Sequence, residues 1–212
     1  MKNTSLYRFL RGFEQSLRKN IRRFLLRRRM RKAIPVFIFQ MGKVASSSIH
    51  HSLKTQYPGA VAHAHHIGSS NWASELFYDW FRSGNEIKII SPVRDPISRN
   101  VSSFFQKYSD YSSKEFQRLN LDTDKLIDDF IDQYPHNVPL TWFDDNIKKY
   151  FSIDVYQQEF PEQGVAVYRA DNVSLLVFRI DIDDALKQKA IREFLTFDSF
   201  RLENKNVSTN KE

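Results

Sequence analysis

Short apolar runs alternate along this chain with longer segments of helical spacing, and this alternation limits the possible folds more than any other feature. Three runs have the length and composition of buried strands, at residues 35–40, 60–67 and 86–93. Apolar residues recur at helical intervals in the segments that follow them, at 46–56, 72–82 and 96–108. This order predicts an α/β domain with a central parallel β-sheet flanked by helices.

The later part of the chain adds elements to the same domain. We predict helices at 122–134 and 141–150, a two-stranded hairpin within 164–181 and a last helix at 185–195. A chain of 212 residues is long enough for one sizeable core. We therefore expect one α/β domain over residues 33–212, preceded by an arm at residues 1–32.

The arm differs from the domain in charge. Residues 1–32 hold 12 Lys and Arg residues and one acid, Glu14, so the remaining residues are mildly acidic although the whole chain is +7. Apolar residues recur at helical spacing in the arm, namely Leu6, Phe9, Leu10, Phe13, Leu17, Ile21, Phe24 and Leu25. This pattern predicts a basic amphipathic helix that lies on an anionic membrane surface. The alternatives are a helix docked on the domain or a partner, and a nucleic-acid-binding tail, which we favour less. Because the basic charge is confined to the arm, the high pI does not indicate that the whole protein binds nucleic acid.

Composition excludes several kinds of site and segment. The sequence contains no cysteine, which excludes disulfides, thiolate metal sites and cysteine nucleophiles. No run approaches the ~20 apolar residues of a membrane span, and no signal-peptide core follows the N-terminus. We expect a cytoplasmic protein that is peripheral at the inner face of the membrane.

The first predicted strand runs into a loop that suits an anion. The sequence MGKVASSS follows the strand, and a helix is predicted to begin near Ser46. Backbone N–H groups at a helix start favour an anion, a lysine adds positive charge, and serines add hydroxyl donors. The candidate residues are Gly42, Lys43, Val44, Ala45, Ser46, Ser47 and Ser48. The simpler interpretation is that Ser46 only caps the helix and Lys43 only faces solvent.

This loop differs from the phosphate loop of ATPases and GTPases. That loop needs a glycine five positions before its Gly-Lys pair and a Ser or Thr directly after it. Phe37 and Val44 occupy those positions here. The third strand also lacks a metal-binding Asp at its end. We therefore expect an anion site that requires no metal, and an ATP-dependent kinase is a less favoured alternative.

A second candidate anion site follows the third strand, in the sequence SPVRDPISRNVSSFF. Arg94 lies at the end of the strand, and Ser102 lies in the next helix, which Asp95 is predicted to cap and Pro96 to open. The simpler interpretation is that Arg94 pairs with an acid. Two anion sites at neighbouring strand ends suggest a ligand with two separated anionic groups.

The two motifs together resemble the sulfotransferases, most closely the bacterial sulfotransferase-like families associated with capsular polysaccharide. The later segments TWFDDNIKKYFSIDVYQQEFP and LLVFRID also resemble these bacterial families. The resemblance implies a P-loop NTPase-like architecture and transfer of a sulfo group from 3′-phosphoadenosine 5′-phosphosulfate to a carbohydrate hydroxyl, without a metal. By position, Lys43 and the three serines would hold the 5′-phosphosulfate. Arg94 and Ser102 would hold the 3′-phosphate.

Three histidines follow the second predicted strand in the sequence AVAHAHHIG. A histidine at a similar place is the base in uronyl-type sulfotransferases, so the resemblance implies that His65, with His63 and His66 behind it, takes the proton of the acceptor. Structural or substrate-binding histidines are an alternative, and a zinc site is disfavoured because no cysteine or paired acid is adjacent. His50 and His51 are expected on the helix surface.

The sequence departs from the family pattern at two places. Ala45 stands where a glycine is usual, so close approach of the backbone to the anion is less favoured. The chain ends with NKNVSTNKE, where relatives tend to continue into another helix. These departures leave open a non-catalytic nucleotide- or glycan-binding protein at a membrane.

Overall fold

The computed structural model describes residues 4–68, 71–108 and 123–203. The strands are β1 Val36–Phe39, β2 Val61–Ala64, β3 Ile87–Val93, β4 Val165–Ala170 and β5 Val173–Arg179. The longer helices are α1 Thr4–Met30, α2 Ser46–Gln56, α3 Trp72–Arg82, α4 Pro96–Gln106, α5 Thr123–Gln133 and α8 Asp184–Leu195. Between α5 and β4 lie α6 Val138–Trp142, the π-helical segment Phe143–Lys148 and α7 Lys149–Phe151.

The five strands form one mostly parallel sheet in the order β2-β1-β3-β5-β4. Only β4 is antiparallel, and it pairs with β5 as the second half of a hairpin. The chain passes from β1 to a neighbour on one side, β2, and then to a neighbour on the other side, β3. The strand order therefore reverses between β1 and β3. In open α/β sheets, ligands bind beyond the carboxyl ends of the strands at such a point.

Strand β1 shows how one sheet supports two cores. All four of its side chains are fully buried, which explains its unbroken apolar run. Phe37 and Phe39 stack with ring centroids 4.7 Å apart in the core that includes α3 and the segment from α6 to α7. Val36 and Ile38 belong to the opposite core, with α2 and α8. Because helices cover both faces of the sheet, the loops at its carboxyl edge are the place where a site can form.

The predicted elements are present, with three differences, apart from residue 122 of the predicted helix 122–134, which lies outside the described residues. The second strand is shorter than predicted, because β2 ends at Ala64 and residues 65–67 lie beyond it. The sheet is not entirely parallel, because the hairpin adds β4 in the antiparallel direction. The helix predicted at 141–150 begins earlier, at Val138, and is divided by the π-helical segment. Pro139 lies in its first turn, where the missing backbone N–H has no intrahelical partner to lose. The domain boundary at residue 32 stays a prediction.

Helix α1 is joined to the domain by its last turn. Met30 is 2% exposed and belongs to the core, with Leu26 packed against it. Arg29 Nη2 donates a hydrogen bond of 2.9 Å to the carbonyl oxygen of Tyr57. Within the described ranges, none of the helices combines the length and the apolar character needed to cross a membrane.

Candidate functional site

The start of α2 lacks a capping side chain. Ala45 precedes the helix with a left-handed backbone, and no side chain accepts a hydrogen bond there. Ser46 is the first helical residue, so the simpler interpretation of Ser46 as the cap is wrong. In contrast, side chains cap three other helices, α3, α4 and α8. The first N–H groups of α2 and its dipole are therefore oriented toward the carboxyl edge of the sheet, where they suit an anion.

The loop before α2 contains several left-handed residues. The φ angles are 86° at Gly42, 61° at Lys43 and 52° at Ala45. Glycine takes such angles freely, whereas an alanine or lysine there costs about 1 kcal/mol. Turns of this kind direct successive N–H groups into a concave, anion-binding surface. Val44 anchors the loop, because its side chain is fully buried in the core and leaves only its backbone to a ligand.

A buried glutamine, Gln40, connects the loop to its surroundings. Its side-chain oxygen Oε1 accepts a hydrogen bond from the N–H of Gly42, which makes Nε2 the donor end. Nε2 lies 2.9 Å from Ser46 Oγ, from His63 Nε2 and from His65 Nδ1. Gln40 therefore links the loop, the start of α2 and the end of β2. One N–H of the loop, that of Gly42, is used in this way and is not open to an anion.

The hydrogen bonds around Gln40 assign the tautomer of His65. The Nδ1 atom of His65 lies 3.0 Å from the backbone oxygen of Gln40, which can only accept. Nδ1 therefore carries the proton, and the two hydrogens of Gln40 Nε2 go to Ser46 and His63. The lone pair of His65 then lies on Nε2, which has no protein partner within the described part of the chain. His65 is exposed, so this lone pair can reach a bound hydroxyl.

His63 has a different character from His65. Burial, followed by the nearby His50 and His65, lowers the pKa of His63 from 6.5 to about 4. Its ring stacks on His50 with centroids 5.1 Å apart, and Ser46 Oγ lies 2.9 Å from its Nε2. A neutral His63 serves as an acceptor in this network. His50, expected only as a helix-surface residue, is half-buried and also belongs to this cluster, whereas His51 pairs with Glu203.

A buried arginine, Arg99, holds the loop from the opposite side. Its guanidinium donates to the carbonyl oxygens of Met41 at 2.9 Å and Gly42 at 3.3 Å. It also donates to Asn100 Oδ1 at 2.9 Å and to Tyr134 OH at 2.8 Å. None of these acceptors is a carboxylate, and no described acid forms an ion pair with Arg99. This positive charge is buried among neutral groups and favours an anion nearby.

The candidate cations lie on the two loops that Arg99 joins. Lys43 and Arg94 are half-buried, and neither has a carboxylate at ion-pair distance among the described residues. Arg94 directly follows β3. Ser102 lies three residues after Arg99 on α4, and residues with this spacing share one helix face. The arrangement places both predicted anion-binding motifs at the same edge of the sheet.

The C-terminal half supplies a further contact to the histidines. Trp142 Nε1 donates a 3.0 Å hydrogen bond to the backbone oxygen of His65. No pattern in the sequence singles out Gln40 or the contact made by Trp142, because these depend on partners that are distant along the chain. Arg99 is visible in the sequence as the second arginine of the RDPISRNVS motif, but its burial and its contacts with the first loop are not. His66 is exposed one residue beyond His65. In the described ranges, no three His, Asp or Glu side chains are grouped as for a metal ion.

A cavity of about 520 Å³ lies elsewhere, between α8 and the face of the sheet formed by β3, β5 and β4. Lys88, Arg169 and Glu193 are among its lining residues. None of the candidate residues lines it. This cavity lies on a face of the sheet and not in the loops after β1 and β3 that hold the candidate residues.

One comparison with known proteins gives a match. Residues 118–212 match the family NKWYS, described as "Putative capsular polysaccharide synthesis protein". No curated protein and no solved structure matches the chain. The match covers less than half of the chain and excludes both anion-binding motifs. It does include Tyr134 and Trp142, which contact the site. The capsular-polysaccharide part of the expected resemblance is thus supported for this segment, and the sulfotransferase part stays a prediction.

The strain at Ala45 gives a first testable prediction. Replacing Ala45 with glycine should raise the free energy of unfolding by about 0.5–1 kcal/mol, because glycine adopts a positive φ without the Cβ contact. Ala190→Gly, in the interior of α8, should lower it by about 1 kcal/mol. Urea denaturation of both variants measures these changes. Loss of stability in both would show that Ala45 is not strained.

The pKa of His63 gives a second prediction. The unfolded chain should bind a proton at His63 near pH 6.5, and the folded protein should bind it only near pH 4. The unfolded state therefore holds more protons between these values, and the free energy of unfolding should fall as pH falls through this window. NMR titration of the imidazole measures the folded pKa, and His63→Gln should flatten that part of the stability profile. Titration of His63 near pH 6.5 in the folded protein would contradict its assigned environment.

Proposed function

We propose that this protein is a sulfotransferase with a P-loop-like site, acting in polysaccharide synthesis. It would transfer the sulfo group of 3′-phosphoadenosine 5′-phosphosulfate to a hydroxyl group of a carbohydrate. The observation that carries the proposal is the uncapped start of α2, placed at the reversal of strand order beside the charges of Lys43, Arg94 and Arg99. The capsular-polysaccharide description of the family that matches residues 118–212 supports a carbohydrate acceptor.

The two loops would divide the donor between them. The N–H groups at the start of α2, with Lys43 and the hydroxyl groups of Ser47 and Ser48, would hold the 5′-phosphosulfate. Arg94 and Ser102, on the neighbouring loop and helix, would hold the 3′-phosphate. Arg99 would act on the donor through the loop. The guanidinium of Arg99 donates hydrogen bonds to the carbonyl oxygens of Met41 and Gly42. In a trans peptide the N–H of Lys43 points opposite to the carbonyl of Gly42, so this N–H points away from Arg99.

The chemistry requires one base and no redox partner. The acceptor oxygen would attack sulfur in line as the bond between sulfur and the bridging phosphate oxygen breaks. The Nε2 atom of His65 would take the hydroxyl proton, while Nδ1–H stays bonded to the backbone of Gln40. Lys43 would neutralise the charge that develops on the bridging oxygen. The products are a sulfate ester and adenosine 3′,5′-bisphosphate.

Two other functions make different predictions. An ATP-dependent kinase would need a magnesium-binding hydroxyl directly after the Gly-Lys pair, and that position holds the buried side chain of Val44. A non-catalytic relative would bind the nucleotide or a glycan without turnover. Donor binding and turnover therefore need separate measurements.

Binding of the bisphosphate gives a third prediction. Calorimetric titration of the whole chain should show binding of adenosine 3′,5′-bisphosphate, weakened about 10- to 100-fold by Arg94→Ala through loss of charged hydrogen bonds. Arg179→Ala is the matched control, because Arg179 also ends a strand but pairs with Asp181. It should leave the affinity unchanged. Preference for ATP with magnesium would support the kinase instead, and binding of neither nucleotide by folded protein would refute the donor site.

Turnover gives a fourth prediction. Release of the bisphosphate from the donor can be followed with unsulfated heparosan and chondroitin oligosaccharides as acceptors. His65→Gln should lower the rate by about 10²- to 10⁴-fold, as expected for loss of a general base, and leave bisphosphate affinity unchanged. His66→Gln, one residue away, is the control and should change the rate only slightly. Equal effects of the two substitutions would remove His65 as the base, and donor binding without turnover would favour the non-catalytic alternative.

A further inference from the structure

Helix α1 presents an apolar surface that the domain does not cover. Six large apolar side chains form this stripe, and each is at least half exposed: Leu10, Phe13, Leu17, Ile21, Phe24 and Leu25. They recur at intervals of three or four residues, so they lie along one side of the helix. A continuous exposed stripe of this size normally has a binding partner.

The stripe faces away from the domain. Leu26 and Met30 are the apolar residues of α1 that pack against the core. Each lies nine residues after a stripe residue, Leu17 and Ile21 respectively, and nine residues correspond to about two and a half turns. The docked side and the stripe are therefore on opposite sides of α1. The fold attaches the helix by one face and leaves the other available.

The charges around the stripe select the partner. Residues 1–32 carry a net charge of +11, and their one acid, Glu14, is bonded to Arg18. Helix α5 offers a useful contrast, because it also exposes two large apolar residues, Ile127 and Ile131, but has Asp128 and Asp132 beside them. An anionic lipid surface attracts the first kind of helix and repels the second.

The junction of α1 with the domain leaves the candidate site open. Arg29 bonds to Tyr57, which lies just beyond the end of α2. The candidate anion site is at the other end of α2, where the helix starts. A surface that covers the stripe therefore does not need to cover the loops after β1 and β3.

We propose that the apolar stripe of α1 docks the protein on an anionic lipid surface. The apolar side chains enter the boundary between headgroups and acyl chains, and the arginines on the flanks contact lipid phosphates. This inference does not depend on the identity of the donor or on catalysis. It assigns a lipid-binding role to the part of α1 that projects beyond its docked last turn.

Co-sedimentation of the whole chain with vesicles tests the proposal. Binding to vesicles that contain phosphatidylglycerol should exceed binding to phosphatidylcholine vesicles by at least about tenfold, and added salt should weaken it. The variant Leu17→Gln/Ile21→Gln keeps every charge and should weaken binding about tenfold. The variant Ile127→Gln/Ile131→Gln removes a pair of the same spacing from α5 and should bind as the unaltered protein does. Bisphosphate affinity, measured in parallel, should be the same in all three proteins.

Other outcomes would overturn the proposal. Equal binding by Leu17→Gln/Ile21→Gln would mean that charge alone acts, as in a tail that binds nucleic acid. Self-association that Leu17→Gln/Ile21→Gln abolishes and Ile127→Gln/Ile131→Gln leaves intact, measured by analytical ultracentrifugation without lipid, would assign the stripe to a second copy of the chain. No vesicle binding by the folded protein would exclude a lipid surface directly.

The proposed function and this inference can fail separately. Absence of bisphosphate binding together with intact vesicle binding would refute the proposed function and leave this inference in place.

Discussion

The buried side-chain amide of Gln40 is the interaction on which the candidate site depends. It bonds to the N–H of Gly42 on one side, and on the other it lies within 2.9 Å of Ser46, His63 and His65. A buried amide without partners would cost about 1–3 kcal/mol, so these contacts are a requirement of the fold. The side-chain contacts hold the shape of the loop and the first turn of α2, and the backbone oxygen of the same residue assigns the tautomer of His65.

Arg99 has a matching role on the other side of the loop. It connects the loop after β1 with helix α4 and, through Tyr134, with the segment that follows α5. Because its described acceptors are all neutral, its charge adds to that of the helix start. Two buried polar side chains thus shape one loop, and the loop presents N–H groups and positive charge at the carboxyl edge of the sheet. Trp142 extends this support to His65.

The matched segment and the anion-binding motifs lie in different parts of the chain. Residues 118–212 match the capsular-polysaccharide family, whereas the loops after β1 and β3 lie before that segment. The structure unites them, since Tyr134 and Trp142 contact groups of the site. Strand β5, also in the matched segment, pairs with β3 over the whole of β3 and so supports the strand that leads to Arg94.

The sequence by itself determined the local structure of this protein. Short apolar runs were sufficient for the strands and helical periodicity for most helices, because burial along a short segment leaves a local pattern in the sequence. The same runs placed the two anion-binding motifs at strand ends. The broken helix from Val138 to Phe151 was not predictable in this way, since a π-helical segment leaves no periodic signal. Only the tertiary structure decided the strand order, the uncapped start of α2 and the roles of Gln40 and Arg99. Those features arise from contacts between residues far apart in the chain, and a buried polar side chain is recognisable only when its partners are known.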